Sequence, residues 1–207
     1  MKKKILIVLC CLFISKINMA QIKFGFTAGA QLANVRLSTY DATSRFAFNL
    51  GGTALTKLSD DIHLQIQLLL SSKGYKYYDE FGYKNLVKPI YLELPIVPRF
   101  KFETGDQTDV YIGAGGYYAF GIGGKQTYYL SGVKESQKLF SSDNDVEVNR
   151  SDFGAVFQLG FTFRENYEGH FFYDLGLNNI YPEATTNTFN RVFGFNLTRY
   201  FGNEAEQ

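Results

Sequence analysis

The residues of this chain that could do chemistry fall mostly on one side of alternating segments. We predict that seven polar or charged residues share an enclosed face of a sheet: Glu93, Arg99, Arg164, Asp174, Gln65, Gln67 and Gln158. Charges in such a place have to pair or stay hydrated. Three roles are open to the set: a salt-bridged plug that fixes strand register, a path for a small solute or proton, or a catalytic carboxylate.

Other reactive side chains give weaker signals. His63 and His170, the two histidines, begin two predicted strands and have no Ser or Asp partner at a recognisable spacing. We therefore expect no catalytic site and no enzyme activity.

An acidic run lies in the longest predicted connection. Asp143, Asp145, Glu147 and Asn149 alternate, and in an extended chain they could bind a hard cation such as calcium. The run lacks the glycine of an EF-hand turn. We expect a solvated acidic loop, with no metal and no cofactor.

The N-terminal residues read as an export signal. Three lysines precede a run of ten apolar residues, Ile5–Ile14, which is too short for a membrane helix of roughly 20 residues. We predict a signal peptide over residues 1–20, cleaved after Ala20, and one domain over 21–207. Both cysteines lie in the leader, so no disulfide is expected in the mature chain. Of 21 basic residues, four are in the leader, which leaves 17 against 20 acids; this mild balance predicts no nucleic-acid partner.

Eight segments with two-residue alternation follow the leader. Large apolar side chains occupy one face of each segment, and glycines or polar residues occupy the other. The predicted strands are Lys23–Leu37, Arg45–Lys57, Asp61–Tyr75, Lys88–Phe102, Asp109–Gly121, Asp152–Arg164, Gly169–Ile180 and Asn190–Phe201. Pro95 and Pro98 interrupt the fourth strand, and we expect each at a bulge or near a rim.

The connections between these strands are alternately short and long. Tight turns at one end, long loops at the other and aromatic residues at both strand ends are typical of a transmembrane barrel in the outer membrane. We predict an all-β, eight-stranded antiparallel up-and-down barrel, with its short turns in the periplasm. The thirty-residue connection 122–151 then faces outward, and its Tyr128, Tyr129, Leu139 and Phe140 could cap the barrel or contact a partner.

Several motifs carry a resemblance to a known family. Tyr91–Pro95 (YLELP), the opening strand 24–34 (FGFTAGAQLAN), 111–117 (YIGAGGY), 173–180 (YDLGLNNI) and 190–193 (NRVF) together resemble the PorT-like outer-membrane barrels of the Bacteroidetes. The resemblance spans the mature chain. It implies an outer-membrane barrel without catalytic residues, and in some relatives a link to protein secretion.

We therefore expect a non-enzymatic scaffold or interaction protein of the cell envelope, and the resemblance implies a link to secretion. Its expected partners are outer-membrane lipid and other envelope or secretion-system proteins, and the barrel is expected to be monomeric. A narrow solute channel is the alternative, and an enzyme acting on lipid or protein is a third.

Overall fold

The computed structural model describes residues 22–36, 42–78, 82–105, 107–130, 133–140, 148–164, 166–181 and 187–201. Within these ranges the chain forms ten strands. They are β1 (Ile22–Arg36), β2 (Arg45–Lys57), β3 (Ile62–Ser72), β4 (Tyr75–Tyr78), β5 (Lys84–Gly105), β6 (Thr108–Leu130), β7 (Val133–Lys138), β8 (Ser151–Phe163), β9 (Tyr167–Gly176) and β10 (Phe189–Phe201). No helix in the described ranges is long and apolar enough to cross a membrane.

Eight of the strands close into a ring. Each of β1, β2, β3, β5, β6, β8, β9 and β10 pairs antiparallel with the next, and β10 closes on β1 from Phe24↔Phe201 to Arg36↔Phe189. Closure leaves the ring without a free edge. The predicted eight-stranded antiparallel barrel is confirmed.

Alternation sorts the side chains of the ring. Phe24, Phe46 and Phe201 are 61%, 72% and 58% exposed on the outside, whereas Thr27, Gln31 and Asn49 are buried inside. The interior is narrow: a Cβ atom on Gly29 would collide with the side chain of Asn196 across the β1–β10 pair. Eight strands leave an interior just wide enough for side chains. The lumen is therefore a polar core, and the outside is an apolar belt.

The third predicted strand is two strands. Gly74 adopts φ = 106°, a conformation that favours glycine, and it separates β3 from β4. β9 ends at Gly176, four residues before the predicted end. There the side chain of Asn178 replaces the ladder, since Oδ1 accepts from Phe153 N (2.8 Å) and Nδ2 donates to Ser151 O (2.6 Å).

Neither of the two prolines lies at a bulge. Pro95 and Pro98 lie within the ladder, and the irregularities of the β5–β6 register fall at Ile90/Tyr91 and Glu103/Gly105 instead. Pro95 keeps Tyr117 of β6 as its partner, and Pro98 keeps Leu64 of β3. A residue in an antiparallel ladder directs its N–H to one neighbouring strand only. Each proline therefore lacks a backbone hydrogen bond on one side and stays paired on the other.

Strands β5 and β6 also run well beyond the predicted ends, and β7 folds back on β6 inside the predicted long loop. The extra residues alternate as strands do, but loop composition hid them. Together with β4 they form a wall that rises above the ring at the end of the long connections.

Candidate functional site in the barrel lumen

Six of the seven predicted polar residues point into the lumen. All six are at most 6% exposed: Gln65, Gln67, Glu93, Arg99, Gln158 and Asp174. The ring brings them together at two levels, because their strands lie on different sides of the barrel.

Arg164 does not join them, contrary to the prediction. β8 ends at Phe163, and Arg164 forms the following turn with φ = 47° and an exposed side chain. Its Nε donates to Gln107 Oε1 (3.4 Å), and its guanidinium lies 5.1 Å from the Phe163 ring centre. The alternation of side chains between the two faces stops where the turn starts. The position of Arg164 in the two-residue pattern therefore does not predict the direction of its side chain.

The level nearer the short turns is organised around Glu168, and we call it the Glu168 cluster. Its members are Glu168, Arg99, Gln65, Tyr111, His170 and Tyr200. Arg99 Nη1 lies 2.8 Å from Glu168 Oε2, which also accepts from Tyr200 OH (2.9 Å). Glu168 Oε1 accepts from Tyr111 OH (2.7 Å) and Gln65 Nε2 (3.1 Å). One buried carboxylate thus has a charged partner and a full set of donors.

His170 completes this cluster and is fully buried. Its Nδ1 donates to Glu168 Oε1 (3.1 Å), and its Nε2 accepts from Asn196 Nδ2 (3.2 Å), which fixes the ring. The Arg99 guanidinium also stacks 4.0 Å from the Tyr111 ring centre. The histidine therefore has both nitrogens occupied inside the barrel.

The level nearer the long loops is organised around Lys73. This Lys73 cluster comprises Lys73, Glu93, Asp152, Asp174, Tyr117, Tyr91 and Asn190. The Lys73 ammonium is 3.1 Å from both Glu93 Oε2 and Asp152 Oδ2, and it lies 3.9 Å from the Tyr117 ring centre. Asp152 Oδ2 also accepts from Asn190 Nδ2 (3.0 Å) and Tyr117 OH (3.3 Å). Asp174 lies against Glu93.

A neutral layer separates the two clusters. Gln31 Nε2 donates to Ser71 Oγ (3.2 Å) and to Ser72 O (3.0 Å), and Gln31 Oε1 accepts from Asn49 Nδ2 (2.8 Å). A cavity of about 10 Å³, room for one water molecule, lies in this layer and extends to Glu93 and Asp174.

An apolar cap covers the lumen at the long-loop end. It consists of Val35, Tyr75, Val87, Leu139 and Ile180, with Phe140 packed beside it. The Phe140 ring lies over Gly121, where a Cβ atom would clash with it, and meets Tyr91 edge-on at 6.1 Å. Arg150 Nη2 donates to Phe140 O (2.6 Å), which holds this segment in place. Of the two roles considered for Leu139 and Phe140, the cap is the one observed.

Two phenols of the cap bond to each other. Tyr75 OH donates to Tyr181 OH (3.2 Å) above the ring. Burial raises the pKa of both Tyr75 and Tyr181, so both stay neutral.

Comparison with known sequences decides the family. Residues 18–181 match the sequence profile of the family described as outer membrane protein beta-barrel domain. The chain belongs to this family. It is therefore an outer-membrane barrel, and the long connections define its extracellular end.

Solved outer-membrane barrels have similar folds at low sequence identity. OprG from Pseudomonas aeruginosa is 15% identical, with a TM-score of 0.47, 87% of this chain covered and 95% of that one. Ail, the attachment invasion locus protein of Yersinia pestis, is 13% identical (TM-score 0.44; 86% and 99% covered). Neisserial surface protein A is 14% identical (TM-score 0.44; 86% and 97% covered). No curated protein matches the chain.

Sequence reasoning missed three charged members of the outer-membrane barrel's lumen. Lys73, Asp152 and Glu168 are each at most 2% exposed. Each has the parity of a predicted lumen residue on the same strand. Lys73 lies six residues after Gln67, Asp152 lies six before Gln158, and Glu168 lies six before Asp174. Extending strict alternation to the strand ends would have found all three.

The acidic run is only partly visible. Asp143, Asp145 and Glu147 lie outside the described residues, and Asn149 Oδ1 accepts from Ser151 N (3.0 Å). Within the described ranges, no group of three His, Cys, Asp or Glu residues could hold a metal ion. His63, half-buried at the start of β3, lies opposite Lys57 and Arg99 in the ladder.

Proposed function

We propose that this protein is a non-enzymatic scaffold of the outer membrane that acts through its extracellular surface and not through its lumen. The observation that carries the proposal is the filling of the lumen at successive levels. The Glu168 cluster, the neutral layer around Gln31, the Lys73 cluster and the apolar cap follow one another along the axis.

Opening such a lumen would be costly. A solute would have to separate Lys73 from Glu93 and Asp152, three side chains that are at most 3% exposed. Breaking a buried ion pair typically costs about 3–5 kcal/mol. The solute would also have to displace Leu139 and Phe140, which cover the outer end of the lumen. These contacts favour a closed barrel.

The placement of the histidines supports a role without catalysis. His170 is fully buried and bonded at both ring nitrogens, so an extracellular substrate has no route to it. His63 lies at the periplasmic end of β3. Barrel enzymes need their reactive group where substrate arrives, and both imidazoles lie away from the extracellular rim.

One observation favours the narrow channel as a second candidate. Asp152 Oδ1 has no hydrogen-bond donor, and a small cavity touches its cluster neighbour Glu93. A buried carboxylate oxygen without a donor is explained by a bound ion or water as well as by an incomplete plug.

Single-channel recording in planar lipid bilayers tests the closed scaffold. We expect no discrete openings from the wild type, and openings from a Lys73→Ala/Phe140→Ala variant that loses both the central cation and the cap. Arg164→Ala, at an exposed turn residue, is the matched control and should stay silent. Discrete, reproducible openings of the wild type would contradict the scaffold and favour the channel.

Crosslinking in intact cells tests the interaction role, which we extend to a secretion-system partner because of the PorT-like motifs. The chain has only Cys10 and Cys11, so single cysteines can be placed cleanly in the mature part. Val133 on the wall and Leu197 on the apolar belt are equally exposed, at 60% and 61%. We expect adducts with one envelope protein from position 133 and none from position 197. Equal labelling from both positions would contradict a partner surface on the wall.

A further inference from the structure

Part of the barrel leaves the ring and stands above it. β3 follows β5 only as far as Ser72↔Ile90, and β8 follows β6 only as far as Phe120↔Ser151. Beyond these pairs β5 and β6 bond to each other, to β4 and to β7. We call this four-stranded extension, residues 75–78, 84–89, 123–130 and 133–138, the outer wall.

The two faces of the outer wall differ in chemistry. Tyr75 and Val87 on the inner face pack into the cap. The outer face carries six lysines: Lys76, Lys84, Lys88, Lys125, Lys134 and Lys138. Glu135 is on the inner face, since it pairs with Tyr128, and no carboxylate among the described residues shares the outer face with the lysines. Among the described residues, every charged side chain on this face is thus basic.

A bulge creates part of this pattern. Tyr91 pairs with Gly121, but Ile90 pairs with Gly123, so Ile122 is an extra residue that shifts the parity of β6. Lys125 thereby faces outward beside Lys88. Gly124, at φ = 141°, packs where a side chain would strike the backbone of Lys88 and Pro89. The glycine-rich segment 121–124 thus accommodates the bulge that turns Lys125 to the outer face.

The lysines lie close enough to repel one another. Lys88, Lys125 and Lys138 are direct cross-strand neighbours in one row. Like charges in such positions are destabilising. Partial burial, and then the nearby cations Arg45, Lys134, Lys125 and Lys84, lower the pKa of Lys88. A bound anion would relieve this repulsion.

The basic face continues the apolar belt. Ile90, Leu92 and Leu94 precede it on the same side of β5, and Leu92 and Leu94 are 43% and 38% exposed toward lipid. At about 3.3 Å per residue, Lys88 lies roughly 7 Å beyond Ile90. The headgroup layer adds roughly 5–8 Å to each side of the hydrocarbon core. The row of Lys88, Lys125 and Lys138 therefore stands at headgroup level.

We propose that the outer face of this wall binds the phosphate groups of anionic lipids in the outer leaflet. Charge complementarity selects an anion, and continuity with the lipid-facing belt selects a lipid over a soluble ligand. The ammonium groups of Lys88, Lys125 and Lys138 lie on three adjacent strands and offer the phosphates separate contacts.

Titration of the detergent-solubilised full chain with lipid A bearing two phosphates, followed by native mass spectrometry, tests the proposal. We expect K88Q/K125Q/K138Q to weaken binding by roughly 100-fold, since each of three cations near an anionic surface contributes about a five-fold factor. The matched control K23Q/K57Q/K101Q removes the same charge at the periplasmic end and should change binding by less than about three-fold. Circular dichroism of the strands checks that both variants fold.

Further arms separate the alternatives. Binding should weaken as salt rises, and lipid A with one phosphate should bind less tightly than the bisphosphorylated form. Equal weakening in the two triple variants would overturn the proposal, as it would reflect net charge only. Inorganic phosphate competing at the same concentration as lipid A would replace the lipid with a free-phosphate site. Tight binding of dextran sulfate without binding of lipid A would replace it with a soluble polyanion.

Discussion

The Glu168 cluster and the Lys73 cluster are buried to the same degree but differ in their supply of donors. In the first, one carboxylate faces Arg99 and receives hydrogen bonds from Gln65, Tyr111, His170 and Tyr200. In the second, the carboxyl groups of Glu93, Asp152 and Asp174 surround one ammonium group.

The difference appears in the carboxylate oxygens. Both oxygens of Glu168 accept hydrogen bonds, whereas Asp152 Oδ1 has no donor. An anion with a full set of donors stabilises a fold, and an unsatisfied one costs free energy. The comparison indicates that the Glu168 cluster anchors the barrel and that the Lys73 cluster tolerates change.

The largest effect is expected at the anchor. Glu168→Gln preserves shape but leaves Arg99 buried without an anion, so the free energy of unfolding should fall by about 3–5 kcal/mol. Urea titration of the barrel in phospholipid vesicles measures it. The double variant Glu168→Leu/Arg99→Met, which removes both charges, should recover most of the loss. A cost below about 1 kcal/mol for Glu168→Gln would refute the anchor.

A smaller loss is expected at the centre of the other cluster. Lys73→Met keeps the stem beside Tyr117 but removes the ammonium group, and we expect a loss of about 2–3 kcal/mol. The cost is smaller because Asp152 keeps its donors Asn190 and Tyr117. Lys76→Met on the outer wall is the control and should change stability by less than about 0.5 kcal/mol. A loss at Lys73 that exceeds the loss at Glu168 would reverse the comparison.

The sequence predicted the barrel better than it predicted these clusters. Alternation of large apolar residues with glycine or polar residues is what a closed, lipid-facing sheet requires. Strands such as β2 therefore begin and end at the predicted residues. The alternation also placed Glu93, Arg99 and Asp174 in the lumen. The prediction failed for Arg164 because this residue itself adopts a left-handed conformation and begins the turn after β8.

Pairing inside the lumen could not be predicted for a different reason. Arg99 and Glu168 lie on β5 and β9, which are not neighbours in the ring. Their contact depends on how far the strands are staggered when the sheet closes, and that stagger is a property of all the pairings together. The outer wall was not predicted because lysine-rich strands resemble loops in composition. Lys84, Leu86 and Lys88 nevertheless occupy every second position, as residues on one face of a strand do.

Each cluster contains a tyrosine that donates a hydrogen bond to a carboxylate, and removing these two hydroxyl groups compares the clusters bond by bond. Tyr111→Phe removes a 2.7 Å hydrogen bond to Glu168, and we expect a loss of about 1–1.5 kcal/mol. Tyr117→Phe removes a 3.3 Å bond to Asp152 but keeps the ring beside Lys73, so its loss should be about 0.5 kcal/mol. Parallel urea titrations measure both. Equal losses would show that donor supply does not distinguish the clusters.

The smallest effect is expected from the same substitution that is most costly at the anchor. Glu93→Gln removes one of three carboxyl groups around Lys73, while Asp152 continues to pair with the ammonium group at 3.1 Å. The neutral amide can donate to Asp174, which lies against it. Removal of like-charge repulsion and loss of one ion pair therefore offset each other, and the free energy of unfolding should change by less than about 0.5 kcal/mol. If Glu93→Gln cost as much as Glu168→Gln in the same titration, the excess of carboxyl groups would not relax the Lys73 cluster, and both clusters would have to be regarded as anchors.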